Sequence, residues 1–247
     1  MIPFFQIDTV PLGFVTLRAW GLLVAVGIGA ALWYGRREAR RRHVSPEAFT
    51  DFVAVTTLLG LLGARLGYFL FYDPLPLLRD PLSFFRLWEG GLSLIGTVVA
   101  IAIYLAWRRR DGQLLAVAEV AALAYPLGEA IGRLGCFVIH DHPGVLSSAW
   151  LAVNYPSGPR LDLGLILSLA AAVTFAVFVL LNRRPHRAPF FLPLLAVLWG
   201  FARFVLDFLR AYDLIGADVR YAGLTPAQYG SLVLVVVGLY YLAKTRR

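Results

Sequence analysis

Apolar residues along the chain collect into seven blocks, at about 16–35, 52–72, 91–107, 114–139, 162–181, 188–209 and 227–243, each bounded by charge or by Gly and Pro. Their lengths lie close to the roughly 20 residues that a helix needs to cross a bilayer. The pattern predicts an all-α polytopic membrane protein with seven transmembrane helices. Two connections are too long for simple turns. Between Tyr72 and Gly91 runs DPLPLLRDPLSFFRLWEG, whose prolines break regular helix while its Leu, Phe and Trp are too apolar for a solvated loop; it is expected to lie in the headgroup layer. Residues 140–160, with HDHPG, Trp150 and the turn-prone NYPSGPR, form a head segment long enough for short strands. The opening MIPFFQIDTVPLGF has no basic n-region followed by a continuous apolar stretch, so the first block is expected to be retained as a helix and not cleaved. No internal repeat or low-complexity tract appears, and residues 1–247 read as one transmembrane domain.

Composition sharpens this picture. Of the 247 residues 59% are apolar and 15% are charged, well below the roughly 25% charged of an ordinary soluble domain. Cys136 is the only cysteine, so no disulfide can form within one chain. The formal charge of +8 comes almost wholly from arginine, with Lys244 the only lysine. Its distribution decides what it is for. Basic clusters follow the first block (Arg36, Arg37, Arg40, Arg41, Arg42), the third (Arg108 to Arg110), the fifth (Arg183, Arg184, Arg187) and the seventh (Lys244, Arg246, Arg247), which puts 14 of the 23 basic residues on one side. The positive-inside rule makes that side cytoplasmic, with the N-terminus periplasmic and the C-terminus cytoplasmic. The clusters thus serve topology and anionic-lipid contact, and no nucleic-acid partner is expected.

Arg18, Arg65, Arg133, Arg203 and Arg210 remain inside or at the edge of blocks, where a central arginine costs about 2.5–3.5 kcal/mol on insertion scales. Arg65 stands 13 residues past the inner start of its block, Arg203 15 and Arg133 19, and at about 1.5 Å per residue all three reach the outer half of the bilayer. Guanidinium groups from three helices at the level of a phospholipid headgroup suit phosphate oxygens, which accept paired N–H donors. The expectation is an intramembrane site for an anionic lipid. The alternative is internal pairing, Arg203 with Asp207 and Arg133 with Glu129, each one helical turn apart; such pairs can also line a site.

Glycines at 60, 63 and 67 and at 128, 132 and 135 recur at helical spacing; they suit close helix packing and also place Arg65 and Arg133 on small-residue faces. Glu119, five residues into its block, reads as a packing group. His140, Asp141 and His142 lie just past Arg133 and offer a general base. No metal site is expected, because adjacent loop positions do not by themselves supply three convergent ligands. Cys136 reads as a small apolar filler, with nucleophile as the alternative.

Four motifs in order resemble the prolipoprotein diacylglyceryl transferase family along nearly the whole chain: Gly63-Ala64-Arg65-Leu66-Gly67-Tyr68 with Phe71-Tyr72; Asp80-Pro81-Leu82 with Phe85-Arg86-Leu87-Trp88-Glu89-Gly90-Gly91-Leu92-Ser93; Gly132-Arg133-Leu134-Gly135 with Phe137; and Phe201-Ala202-Arg203 with Asp207 and Arg210. The resemblance implies seven helices, a small periplasmic head, and transfer of diacylglycerol from phosphatidylglycerol to the lipobox cysteine thiol of a prolipoprotein signal peptide at the bacterial inner membrane. It implies no cofactor. By resemblance Arg133 and Arg203 hold the phosphatidylglycerol headgroup, and Arg65, Tyr68, Glu89, Gly132, Gly135, Asp141 and Arg210 line or support the cavity, with His140 or His142 taking the thiol proton.

The departures fall among polar positions. The family's His-Gly-Gly is Ile95-Gly96-Thr97 here, its signature Asn is Cys136, its Asn-Gly-Glu is Ile139-His140-Asp141, and its Tyr-Gly of the first helix is Trp20-Gly21. Two functions follow from this mixture: a divergent transferase, or an anionic-phospholipid-binding relative without turnover.

Overall fold

The computed structural model describes residues 1–247 apart from 14, 87–89, 215–216, 218 and 246–247. Eight α-helices appear among the described residues: α1 (Ala19–Arg41), α2 (Pro46–Phe71), α3 (Leu75–Arg79), α4 (Leu94–Trp107), α5 (Leu114–Ile139), α6 (Leu163–Leu181), α7 (Phe191–Leu206) and α8 (Pro226–Thr245). Six of them, α1, α2, α5, α6, α8 and α7 with the 3-10 turn that extends it to Leu209, are long and apolar enough to cross a membrane; α4 is apolar but has 14 residues. At about 1.5 Å per residue α4 rises roughly 21 Å, less than the roughly 30 Å hydrocarbon layer.

Local chemistry sets the ends. Ser45 caps α2 by accepting from Ala48 N–H at 3.1 Å, Ser93 caps α4, and Asp162 caps α6 by accepting from Leu165 N–H at 3.1 Å. The first block begins later than its pattern predicts. Residues 16–18 belong to a hairpin of β1 (Thr9–Leu12) and β2 (Val15–Arg18), because Gly13, at φ 63°, makes the left-handed turn and the β-branched Val15 and Thr16 suit a strand. In the segment 73–90, residues 75–79 form α3 and 81–85 a 3-10 turn capped by Asp80, with Leu75, Leu78, Leu82 and Phe85 turned outward as an interfacial segment requires.

Helix α5 is central, packing against α1, α2, α6 and α7. With no hydrophobic force between helices in lipid, close backbone approach does this work: a Cβ on Gly27 of α1 would lie 2.6 Å from the Gly128 carbonyl of α5, and one on Gly63 of α2 2.6 Å from the Gly96 carbonyl of α4. Polar bonds add register, Ser168 Oγ donating to the Ala130 carbonyl at 2.7 Å and Thr97 Oγ1 to the Gly60 carbonyl at 3.1 Å.

The carboxylate of Glu119, buried in α5, accepts from the backbone N–H groups of Phe190, Phe191 and Leu192 at 2.9, 2.9 and 2.8 Å. A helix begins with unpaired N–H groups; here a second helix supplies the acceptor, fixing the start of α7 against α5. The head consists of β3 (Pro143–Leu146), β4 (Val153–Tyr155) and β5 (Gly158–Asp162), antiparallel in the order β3-β5-β4. Residues at the N-terminus join it, as Asn154 N–H donates to the Ile2 carbonyl at 3.0 Å. Its attachment to the end of α7 runs through Arg160, which donates to the Asp213 carboxylate, one bond at 3.0 Å, and to the Gly144 carbonyl at 3.1 Å.

Replacing Glu119 with Ala leaves three backbone donors, one buried and two part-buried, without their acceptor and is expected to cost about 2–4 kcal/mol, with Glu119→Gln, which keeps an acceptor, costing less. The thermal midpoint of the detergent-purified chain measures this; an Ala variant as stable as the parent would show that the cap is not holding α7.

Candidate functional site

A narrow cleft with a free volume of about 20 Å³ lies between α5, α6 and α7, and both Arg133 and Arg203 line it, together with Glu129, Trp199 and Thr174. Helices α5 and α7 therefore bring the two arginines to one cavity. Each also has its acid. Arg133 Nε donates to Glu129 Oε1 at 2.9 Å, and an Arg203 terminal nitrogen lies 3.2 Å from Asp207 Oδ1. The internal pairing offered by the sequence is thus present, and both paired arginines line one cleft. Tyr125 OH donates to the other Glu129 oxygen, so a Tyr-Glu-Arg ladder at i, i+4, i+8 runs up α5; that spacing is visible in the sequence, and Tyr125 is the member sequence reasoning passed over. Fully buried Asp207 also accepts from Thr225 Oγ1 and lies 3.8 Å from Arg210, which supports the pair from behind without lining the cleft.

Arg65 is placed elsewhere. Its buried guanidinium donates to the backbone carbonyls of Ser83 (2.6 Å), Arg86 (3.2 Å), Phe84 (3.3 Å), Gly91 (3.3 Å) and Gly90, and it sits over the Phe69 ring at 4.6 Å. Against the expectation of a third phosphate ligand, it clasps segment 83–91, because carbonyls in a chain turn satisfy a buried cation as an anion would. Tyr68, which packs beside Gly91 and stacks on Tyr72, belongs to the same clasp. Glu89 lies outside the described residues. Gly135 faces α1, where an added Cβ would meet the Trp20 carbonyl oxygen at 3.2 Å, and the nearest atom to one on Gly132 is the α1 side chain of Val24. Both glycines therefore serve packing against α1, and neither lines the cleft.

Beyond Arg133 the end of α5 carries the two histidines into different surroundings. His140 takes a left-handed conformation, φ 53°, at the helix C-cap. Its ring lies among Phe4, Phe5, Phe137 and Tyr155, its side chain is 2% exposed, and Nδ1 bonds Asp162 at 2.7 Å. Nε2 is buried without a hydrogen bond among the described residues. Tyr155 also donates to Asp162; burial, followed by that carboxylate, raises the phenol above its ordinary range. His140 is thus shut into the head, away from the cleft. His142 is partly exposed and bonded through Nδ1 to Asp141. The left-handed cap turns the chain back on itself, with Asp141 N–H donating to the Cys136 carbonyl at 3.4 Å, and so brings Asp141 and His142 beside Cys136. Ligand-capable atoms of Cys136, Asp141 and His142 lie within 4.8 Å of one another. Arg133 and Trp20 flank the same sulfur. This convergence was not foreseen from adjacency in the loop, because it depends on a histidine adopting the conformation usual for glycine.

The family model described as prolipoprotein diacylglyceryl transferase matches residues 8–244. A phosphatidylglycerol–prolipoprotein diacylglyceryl transferase of Chromohalobacter salexigens is 32% identical over 255 residues, covering 100% of this chain and 96% of its own. Proteins of the same name from Xylella fastidiosa strain M23 (31% over 268 residues, covering 93% and 89%) and Janthinobacterium sp. strain Marseille (30% over 246 residues, covering 94% and 92%) are similar to the same extent.

Two outcomes follow from this geometry. Lysine cannot reach five carbonyls from one planar group, so Arg65→Lys is expected to cost about 2–4 kcal/mol and to expose residues 80–92 to limited proteolysis. The Asp213 carboxyl is held below its usual range by the Arg160 hydrogen bond. Its contribution to stability is therefore complete above an ordinary carboxylate pKa of about 3.9 and lost as pH falls through the depressed folded value. An Asp213→Asn variant should lose that part of the acid dependence of the thermal midpoint.

Proposed function

The chain belongs to the prolipoprotein diacylglyceryl transferase family, and from that membership and the cleft geometry we propose that it moves the diacylglyceryl group of phosphatidylglycerol onto the lipobox cysteine thiol of a prolipoprotein signal peptide. The observation that carries this reading is the meeting of Arg133 and Arg203, from α5 and α7, in one cleft among apolar helices. The lipid's single negative charge lies on its phosphodiester, and the apolar Leu167, Ala171 and Leu195 that flank the arginines suit contact with its acyl chains. The arginines hold the phosphate. The thiol sulfur attacks the terminal glyceryl carbon, a C–S bond forms, and the C–O bond breaks with its electron pair passing to glycerol phosphate. The leaving group gains charge as it departs, and guanidinium groups aimed at it lower the barrier.

The acceptor thiol enters at the end of α5, where Asp141 is exposed and His142 half-buried. Of the two histidines, His142 fits the handling of the thiol proton, and His140 holds up the head. Arg65, Tyr68 and Arg210 position the surrounding segments. Basic clusters on alternate connections support a bacterial cytoplasmic membrane location with the N-terminus periplasmic and the C-terminus cytoplasmic, so that the arginine cleft and head face the side where signal peptides emerge.

Expression in cells depleted of their own transferase tests the reading: the parent chain should restore diacylation of a lipobox reporter, and Arg133→Gln or Arg203→Gln should each lower the rate about 100-fold or more. A parent chain that reaches the membrane, folds and binds phosphatidylglycerol yet leaves the reporter unmodified would replace the enzyme with a lipid-binding relative.

A further inference from the structure

A second hollow lies at the end of the bundle opposite the head, where the first turns of α2 and α5 meet the end of α4. Its free volume is about 190 Å³, against about 20 Å³ for the arginine cleft. Phe52, Val55 and Leu114 stand on its apolar side, and Asp51, Tyr104 and Arg108 on its polar side. The polar side is not charge-balanced. Arg108 donates to the Asp111 carboxylate, whose other oxygen accepts from Gln113 N–H at 2.9 Å, so those two charges cancel. The Asp51 carboxylate, exposed in the second turn of α2, makes no hydrogen bond or ion pair among the described residues. One negative charge is thus left in a hollow that also presents the buried ring of Tyr104, itself 6.1 Å from the ring of Phe52. A carboxylate beside aromatic rings suits an organic ammonium, since the oxygens accept its N–H donors and the ring faces attract its charge.

The position of the hollow says what carries that ammonium. Trp107, the last residue of α4, is 76% exposed, as an aromatic at headgroup level is, and Arg108 to Arg110 follow it. Val55 and Leu58 continue the stripe of Asp51 along α2 at i+4 and i+7, and both are exposed. An acyl chain can lie along them while its headgroup fills the hollow. Arg108 has more N–H donors than the one it gives Asp111, and the remainder suit a phosphate. We propose that this hollow holds the headgroup of an aminophospholipid, its primary ammonium on Asp51 and its phosphate on Arg108, in the leaflet at the basic end of the bundle. On the orientation proposed above that leaflet is cytoplasmic. A choline headgroup has no N–H to give Asp51, and phosphatidylglycerol has no cation, so the two ends of the protein select different lipids. The site does not depend on the transfer reaction.

Native mass spectrometry of the full chain reads this occupancy without any turnover. The detergent-purified, delipidated protein is offered equimolar dioleoyl phosphatidylethanolamine, phosphatidylcholine and phosphatidylglycerol. One phosphatidylethanolamine should be retained per chain, about tenfold more readily than phosphatidylcholine. Asp51→Asn should cut that retention about tenfold and leave phosphatidylglycerol binding as it was. Because Asp51 has no partner to lose, the variant should keep the parent's circular dichroism and thermal midpoint. A folded Asp51→Asn chain that still holds phosphatidylethanolamine, or a parent that holds phosphatidylcholine equally well, would overturn the site. Full displacement of the lipid by an equal concentration of water-soluble ethanolamine would also overturn it, by making the ligand a free amine. Phosphatidylglycerol retention lost on Arg133→Gln tests the arginine cleft instead, so the two readings fail separately.

Discussion

A charged group in hydrocarbon must find its partner inside the protein, and the arrangement of this chain follows from how each one does so. Glu119 is satisfied by three N–H groups at the start of α7, and Arg65 by five carbonyls of segment 83–91. These contacts tie each charge to a neighbouring segment of the chain. Arg133 and Arg203 differ in kind: each meets a carboxylate one turn along its own helix, and each still lines the cleft. The contacts of Glu119 and Arg65 join distant segments, whereas the ion pairs of Arg133 and Arg203 lie within their own helices beside the cleft that we propose holds the lipid phosphate.

The Glu119 cap also sets the level of the two arginines. Helices α5 and α7 run in the same direction when both begin on the basic-loop side, and the cap ties the start of one to the first turn of the other. From Glu119 to Arg133 is about 21 Å of rise, and from Phe191 to Arg203 about 18 Å. A joint at one end of two rigid rods thus brings their arginines to nearly one depth at the other. The head is held to the same end by the Arg160 fork on Asp213, which keeps His142 and Asp141 near Arg133.

Much of this was legible in the sequence, because hydrophobic length and charge spacing are properties of single helices. Blocks near 20 residues became helices, and Arg133–Glu129 and Arg203–Asp207 could be read from one-turn spacing. What escaped was chosen by contacts between distant segments. Arg65 looked like Arg133 in sequence, since nothing in its own helix says that carbonyls 18 to 26 residues away will reach it. The glycines near Arg133 announced a close approach but not its direction, and the direction proved to be α1. The fate of His140 depended on Phe4 and Phe5 folding over it from the opposite end of the chain.

The placement of the sulfur chemistry has its own electrostatic consequence. Cys136 lies in the last turn of α5, and the corner that we propose receives the acceptor thiol lies just beyond it, where the final carbonyls of a helix present partial negative charge. An anion is disfavoured there, and a thiolate is an anion. The opposite arrangement, a thiol at a helix N-terminus, would lower its pKa without help. A reaction that needs ionised sulfur at this position must therefore bring positive charge to it. Arg133, which is joined to Glu129 and lies beside the Cys136 sulfur, is the cation placed to supply it.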